Sequence, residues 1–143
     1  MRSRTRPLIA LVATLAVLTG CSSVPDYDPP PTPAPVTASV PSDGMTLREL
    51  GAEYGPVDAV VVPREHRLQL LISQINLVNV VFDAPDADEL AAWFRRELPR
   101  AGWTITDDAG GALLFTGHGW EGAFTPMGDG SPGGAFSLRK QGQ

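Results

Sequence analysis

The chain is poor in the residues that build covalent cross-links and metal sites. Among its 143 residues it has one cysteine, Cys21, and two histidines, His66 and His118. A single thiol cannot form an internal disulfide, and two separate histidines do not provide the ligand spacing of a zinc site. The sequence therefore predicts no bound metal and a domain that is held together by its hydrophobic core alone.

Motifs for catalysis and phosphate binding are also missing. The serines lack the Gly-x-Ser-x-Gly context of a nucleophile elbow. The glycine-rich stretch 128–134 precedes a strand pattern instead of the Lys-Ser/Thr and helix of a phosphate-binding loop. We therefore predict no catalytic residue and no cofactor. Asp107, Asp108 and Glu121 could supply paired carboxylates, although acidic pairs in turns usually only face solvent.

The charge balance excludes one class of partner. The chain has 16 acidic and 11 basic residues, and its formal net charge is −5. Proteins that bind nucleic acid present a basic stripe or patch to the phosphates. The sequence has no such stripe, so we do not expect a nucleic-acid partner.

Long apolar runs are absent except at the N-terminus. Three arginines at positions 2, 4 and 6 precede an apolar stretch from Leu8 to Leu18. A stretch of about a dozen residues is too short for a membrane-spanning helix, which needs about 20. A basic segment, an apolar segment and the small residues Thr19-Gly20 are typical of a cleaved secretory signal.

The end of this segment, Leu18-Thr19-Gly20-Cys21, resembles the lipobox of bacterial lipoproteins. The resemblance implies cleavage between Gly20 and Cys21 and a diacylglycerol thioether on Cys21, which would anchor the chain to the outer, extracytoplasmic side of the cell membrane. Residues 1–20 contain three arginines, so the mature chain would have a formal charge of −8. The alternative is a soluble secreted protein with an incidental cysteine.

The segment 21–43 has the composition of a tether. Seven of its residues are prolines, and serine, threonine and aspartate separate them. Such sequences favour polyproline-II conformations and lack the apolar periodicity of a packed element. We expect a disordered tether that could reach roughly 60 Å when extended.

Residues 44–143 form the one candidate globular domain. The patterns predict a short helix over 45–54, a strand over 57–62, and two strands over 67–73 and 77–83. Leu68, Leu70 and Ile72 are expected on one face of the first of these two strands. A longer helix follows Pro85, with an apolar stripe at helical spacing, and ends near Gly102. The stripe consists of Leu90, Trp93, Phe94, Leu98 and Ala101.

Four short strands follow, with a turn at 107–111 and His118 in a solvated turn. The prediction is an α+β fold: an antiparallel sheet of about five to seven strands, one main helix packed on one face and a short N-terminal helix. The stretches Asp83-Ala84-Pro85, Ala91-Ala92-Trp93-Phe94, Leu98-Pro99-Arg100-Ala101-Gly102-Trp103, Phe115-Thr116-Gly117 and Gly119-Trp120-Glu121-Gly122-Ala123-Phe124-Thr125 are similar to those of uncharacterised small lipoproteins of actinobacteria. That resemblance implies a fold and a location, and no activity.

Three functions remain open at this point. The preferred one is a non-catalytic head that contacts another envelope protein or ligand. The second is a carrier or sensor of an apolar small molecule, bound by Trp93, Phe94, Phe115 and Trp120. The third is an envelope hydrolase that uses His118 and the carboxylates named above. In addition, the uncharged, β-prone stretch 68–82 predicts a homodimer through strand pairing if its edge is uncovered.

Overall fold

The computed structural model describes residues 39–128 and 132–142, which we call the head. The predicted signal peptide, the lipidation site and most of the predicted tether lie outside the described residues. The elements of the head are β1 Gly44–Thr46, α1 Leu47–Leu50, β2 Val61–Pro63, β3 Arg67–Gln74, β4 Leu77–Ala84, α2 Ala87–Arg100, β5 Thr104–Ala109, β6 Ala112–Gly117, β7 Trp120–Pro126 and β8 Gly134–Lys140.

The strands form two antiparallel sheets. The larger sheet has six strands in the order β3-β4-β8-β7-β6-β5, and β1 pairs with β2 in a separate two-stranded sheet. After β4 the chain continues through α2 to β5 at the opposite edge, and β5 to β8 then return as a meander. The head is therefore mostly β, with one main helix and a short helix near its start.

The core lies between α2 and one face of the large sheet. Phe94 on α2 lies 4.8 Å from the ring of Phe136 on β8 and 5.2 Å from that of Phe124 on β7. The predicted stripe is buried as expected, and Pro99 lies in the last turn of the helix. Because strand residues alternate between faces, every second side chain points to the opposite face of the sheet, and no helix among the described residues covers that face. Leu114 on this face is 49% exposed.

The first helix is shorter than predicted. The apolar spacing over 45–54 predicted a helix, but only Leu47–Leu50 is helical. Gly51 ends it in the left-handed conformation, with φ of 110°. Ala52 then donates its backbone N–H to Leu47, and Leu47 donates to Val60, so the chain turns back toward β2 instead of continuing as a helix.

The second strand also differs from its prediction. Residues 57–62 were expected to form an edge strand, but only Val61–Pro63 is a strand, and it pairs with β1 outside the large sheet. Two tryptophan side chains bind the backbone here. The indole nitrogen of Trp93 donates to Val61 at 2.9 Å, and that of Trp103 donates to Ala59 at 2.7 Å. Side-chain donors thus replace part of the expected strand pairing.

The two strands of the first hairpin match their predicted bounds within one residue, but one face prediction was wrong. Leu68 pairs with Phe82 on the helix-covered face, whereas Leu70 pairs with Val81 on the open face. A β-bulge at Gln69 adds one residue to β3 and reverses the alternation. Leu68 therefore does not share a face with Leu70.

The turn predicted over 107–111 is also shorter. Asp107 and Asp108 belong to β5, which runs to Ala109. Only Gly110 and Gly111 form the turn, with φ of 61° and 81°. Two consecutive residues with positive φ are typical of the tightest hairpins, which explains why two glycines suffice.

Candidate functional site

The four aromatic residues predicted to bind a ligand lie in the core. Phe94 and Phe115 are fully buried, and both pack against Phe136. Trp120 is also buried. Trp93 is 8% exposed and lies at the margin of a surface groove. Packing accounts for the first three side chains, and Trp93 faces a surface groove that a ligand could enter.

Two of the three acidic residues of the hydrolase hypothesis, Asp108 and Glu121, pair with arginines, and Asp107 accepts a hydrogen bond from the backbone N–H of Asp108. Asp108 accepts hydrogen bonds of 2.6 and 2.7 Å from Arg95 on α2. This guanidinium lowers the pKa of the Asp108 carboxyl below its ordinary value, mainly through those hydrogen bonds. Glu121 lies 3.7 Å from Arg139 on the neighbouring strand. Both carboxylates therefore tie together neighbouring elements of the fold.

His118 differs from its prediction. It was expected to be a freely solvated imidazole, but its Nε2 lies 2.8 Å from the carbonyl oxygen of Ala101 at the end of α2. Because a carbonyl only accepts, Nε2 carries the proton and donates. The imidazole also packs edge-on against Trp103, with ring centroids 5.0 Å apart. His118 thus joins the β6–β7 turn to the C-terminal end of the helix.

In the part of the chain that the structure describes, no three histidine, cysteine or acidic side chains are grouped to hold a metal ion. No helix among the described residues is both long enough and apolar enough to cross a membrane.

One cavity of the head is a surface groove of about 780 Å³. It lies where the N-terminal half of α2 meets the end of β2 and the start of β3. Its volume falls within the range of ligand sites in proteins, about 300–1,000 Å³. The residues that line it are Ser42, Asp43, Pro63, Arg64, Glu65, His66, Arg67, Ala84, Pro85, Glu89, Ala92, Trp93 and Arg96.

The groove carries charges of both signs. Arg64 comes from the segment that joins β2 to β3, Arg67 is the first residue of β3, and Arg96 comes from α2. Opposite charges come from Asp43, Glu65 and Glu89. The lining is therefore formally neutral, in a chain whose net charge is −5. The net negative charge of the chain would repel an acidic partner elsewhere on the head. The neutral groove would not repel such a partner.

Two of the arginines retain unused donors. One terminal nitrogen of Arg64 donates to the carbonyl of Gly44 at 2.8 Å, which orients the guanidinium. The nearest carboxylate to Arg67 is that of Asp83, at 3.5 Å, which is too long for a strong hydrogen bond. A guanidinium has five N–H donors, so both side chains can still donate hydrogen bonds to a carboxylate or carbonyl of a partner.

Arg96 and Trp93 form the wall on the helix side. The guanidinium of Arg96 lies 4.8 Å from the centroid of the Trp93 ring, at cation–π distance. Its Nε donates at 2.6 Å to Glu97, a carboxylate that is only 3% exposed and that also accepts from Arg100. These contacts hold a flat, cationic surface in a fixed position beside the groove.

His66 lies in the groove at the entry to β3. Its Nδ1 donates to the carbonyl of Pro63 at 2.8 Å. This bond places the proton on Nδ1, so that Nε2 is an acceptor when the ring is neutral. The groove thus offers donors, an acceptor and an aromatic wall, which suits an extended polar segment such as a peptide.

Sequence reasoning missed this groove. The signal in the sequence is the short charged run Arg64-Glu65-His66-Arg67 between two apolar strands, directly after Pro63. Its counterpart on α2 lies about 30 positions later, and only the fold brings the two together. Comparison of the chain with protein-family models, curated protein sequences and solved structures gave no match. The functional argument therefore depends on the geometry of the site.

Proposed function

We propose that this chain is a lipid-anchored protein of the cell envelope whose non-catalytic α+β head binds an extended segment of another envelope protein. In this proposal residues 1–20 are removed, Cys21 carries the lipid, and the tether holds the head on the extracytoplasmic side of the membrane. The observation that carries the binding role is the groove beside Trp93.

The chemistry of the groove supports a polar chain as the partner. A peptide backbone alternates carbonyl acceptors and N–H donors. The arginines of the groove can donate to the carbonyls, and its carboxylates can accept from the N–H groups. Arginine and tryptophan are also the residues most enriched at the energetic centres of protein interfaces. Arg96 and Trp93 are in contact at this place.

The groove fits the two rival functions less well. A carrier of apolar molecules needs an enclosed, mostly apolar cavity, whereas this groove is open and lined by six charged side chains. A hydrolase needs a nucleophile within hydrogen-bonding reach of a base. The carboxylates that could serve, Asp108 and Glu121, instead pair with arginines.

The proposal can be tested by photo-cross-linking in intact cells. A photo-reactive amino acid replaces Ala92, an exposed residue on the wall of the groove, in the full-length chain. The matched control carries the same amino acid at Ala109, an exposed alanine on β5 that does not line the groove. We expect a discrete cross-linked envelope protein from position 92 and none from position 109.

A pair of charge reversals makes the test specific. Arg67 and Arg139 are both exposed and both lie 3.5–3.7 Å from a single carboxylate, but only Arg67 lines the groove. We expect Arg67→Glu to abolish the adduct at position 92 and Arg139→Glu to leave it unchanged. Equal adducts from positions 92 and 109, or an adduct that survives Arg67→Glu, would contradict the proposal.

A further inference from the structure

The outer edge of β3 has no strand partner in the part of the chain that the structure describes. β3 is the last strand on one side of the large sheet, where it pairs with β4. Among the described residues, no backbone hydrogen bond from another segment reaches residues 67–74. The segment after α1 contacts β3 through a side chain, because the N–H groups of Glu53 and Tyr54 both donate to the hydroxyl of Ser73.

The backbone groups that point outward can be identified. The hairpin turn has two residues, Ile75 and Asn76, so Gln74 and Leu77 form its closing hydrogen-bonded pair. Hydrogen-bonded and non-hydrogen-bonded pairs alternate along the two strands from there. Leu71 and Ser73 lie in non-hydrogen-bonded pairs, and therefore direct their N–H and C=O groups away from β4. The carbonyl oxygen of Asn76 accepts from the backbone N–H of Lys140 on β8, the strand on the other side of β4, as this alternation requires.

The edge is also free of charge. Residues 68–76 contain no ionisable side chain, in a chain with 16 acidic residues. Leu70 is 44% exposed, and Ile75 at the turn is 73% exposed. The opposite edge of the sheet, β5, carries Asp107 and Asp108, and charged side chains on an edge oppose pairing with another strand. Of the two outer strands of the large sheet, β3 is therefore the one whose edge suits the addition of another strand.

We propose that β3 pairs antiparallel with β3 of a second copy of this chain. The bulge at Gln69 limits the regular part of the strand to residues 70–74, whose midpoint is Ile72. A twofold axis at that midpoint pairs Leu71 with Ser73 of the second copy, and Ser73 with Leu71 of the second copy. These pairs satisfy the outward N–H and C=O groups of both residues. Ile72 then lies opposite Ile72 of the second copy on the open face.

A second copy fits this edge better than an unrelated acidic partner. An antiparallel self-pairing is symmetric, so the two copies close into a dimer and leave no β3 edge for further growth. Two chains of the same negative charge repel each other least where each one is uncharged. Five paired residues on each side make a small contact, so we expect a dissociation constant in the micromolar range or weaker. The inference is independent of the groove and of its partner.

The first test measures the mass of the full-length chain in mild detergent, under reducing conditions, by native mass spectrometry over a range of concentrations. We expect a dimer that increases with concentration. Leu70→Lys should abolish it. Leu114→Lys is the matched control, because Leu114 is a similarly exposed leucine on the same face, away from the edge. Loss of the dimer in Leu114→Lys alone would show packing through the open face and overturn the proposal.

The second test does not depend on disrupting the fold. Ile72→Cys in the full-length chain places two thiols across the proposed axis, at the spacing of a non-hydrogen-bonded antiparallel pair, which is about 4.5 Å between Cα atoms and suits a disulfide. Mild oxidation of intact cells should give a covalent dimer with Ile72→Cys, and none with Leu114→Cys or the unaltered chain. A monomer at all concentrations without this cross-link would overturn the proposal. So would a monomer whose Leu71 and Ser73 amides resist hydrogen exchange, because another segment of the chain would then cover the edge.

Discussion

The indole nitrogen of Trp103 donates a 2.7 Å hydrogen bond to the carbonyl oxygen of Ala59, 44 positions earlier in the chain. Both residues are buried. The bond fixes the loop before β2 to the start of the meander. Together with the bond from Trp93 to Val61, it holds the small sheet, and the groove beside it, against the end of the core.

The first prediction concerns this bond. Trp103→Phe keeps an aromatic ring but leaves the buried Ala59 carbonyl without its donor. An unsatisfied buried polar group costs about 1–3 kcal/mol, so we expect the free energy of unfolding to fall by about that amount, as measured by urea denaturation. Trp120→Phe is the control, since the indole nitrogen of Trp120 makes no hydrogen bond to the described residues. Equal losses in the two variants would show that ring size, and not the bond, matters.

The second prediction concerns close packing at Gly122 on β7. A Cβ at this position would overlap the ring of Phe115 and lie only 2.9 Å from Cδ2 of Leu138, and both side chains are buried. Forcing extra volume into a packed core costs about 1–3 kcal/mol. We expect Gly122→Ala to lower the free energy of unfolding by at least that much.

The control for this prediction is Gly128→Ala. Apart from its neighbours in the chain, no atom of the described residues lies within 4 Å of a Cβ built on Gly128. We expect the change in the free energy of unfolding to stay within about 0.5 kcal/mol, the usual range for surface substitutions. If Gly122→Ala proves as mild as Gly128→Ala, the packing of β7 against Phe115 is not as the structure describes it.

The third prediction concerns pH. Arg95 lowers the pKa of the Asp108 carboxyl below its ordinary value. A carboxyl whose pKa is lower in the folded state stabilises the fold above its unfolded pKa, about 3.9, and loses this effect as the pH falls through the folded pKa. We expect Asp108→Asn to unfold at lower denaturant concentration than the unaltered chain at pH 7, by a small margin.

The same variant should behave differently in acid. Below the folded pKa both chains have an uncharged side chain at position 108, so the difference between their denaturation midpoints should shrink as the pH falls from 7 toward 2. Asp107→Asn serves as the control, because Asp107 makes no ion pair with the described residues. A midpoint difference for Asp108→Asn that is the same at pH 7 and pH 2 would rule out the pairing with Arg95 as its cause.

The sequence allowed the main helix and the β3–β4 hairpin to be predicted closely. The stripe of Leu90, Trp93, Phe94 and Leu98 has the period of an amphipathic helix, and this local pattern decides which face is buried. The two-residue turn at Ile75 likewise lies between two strongly β-prone runs. In both places local preference and tertiary packing favour the same structure.

The failures occur where contacts distant in sequence decide the structure. The loop before β2 is held by Trp103, and Leu47, the first residue of α1, donates its backbone N–H to Val60, so neither segment can be read from local periodicity. The bulge at Gln69 carries no glycine or proline that would mark it. The groove is formed by Arg64 and Arg96 on elements that only the fold brings together. For the same reason its residues were missed.

The account depends most directly on the chemical state of Cys21. Intact mass spectrometry of the full-length gene product, recovered from its own cell membranes, decides this. We predict a chain that begins at Cys21 and carries the added mass of a diacylglycerol thioether, and that leaves the membrane fraction when Cys21 is replaced by serine. A chain that still begins at Met1, or one whose Cys21 sulfur is unmodified, would contradict the proposal that this protein works as an anchored head at the cell surface.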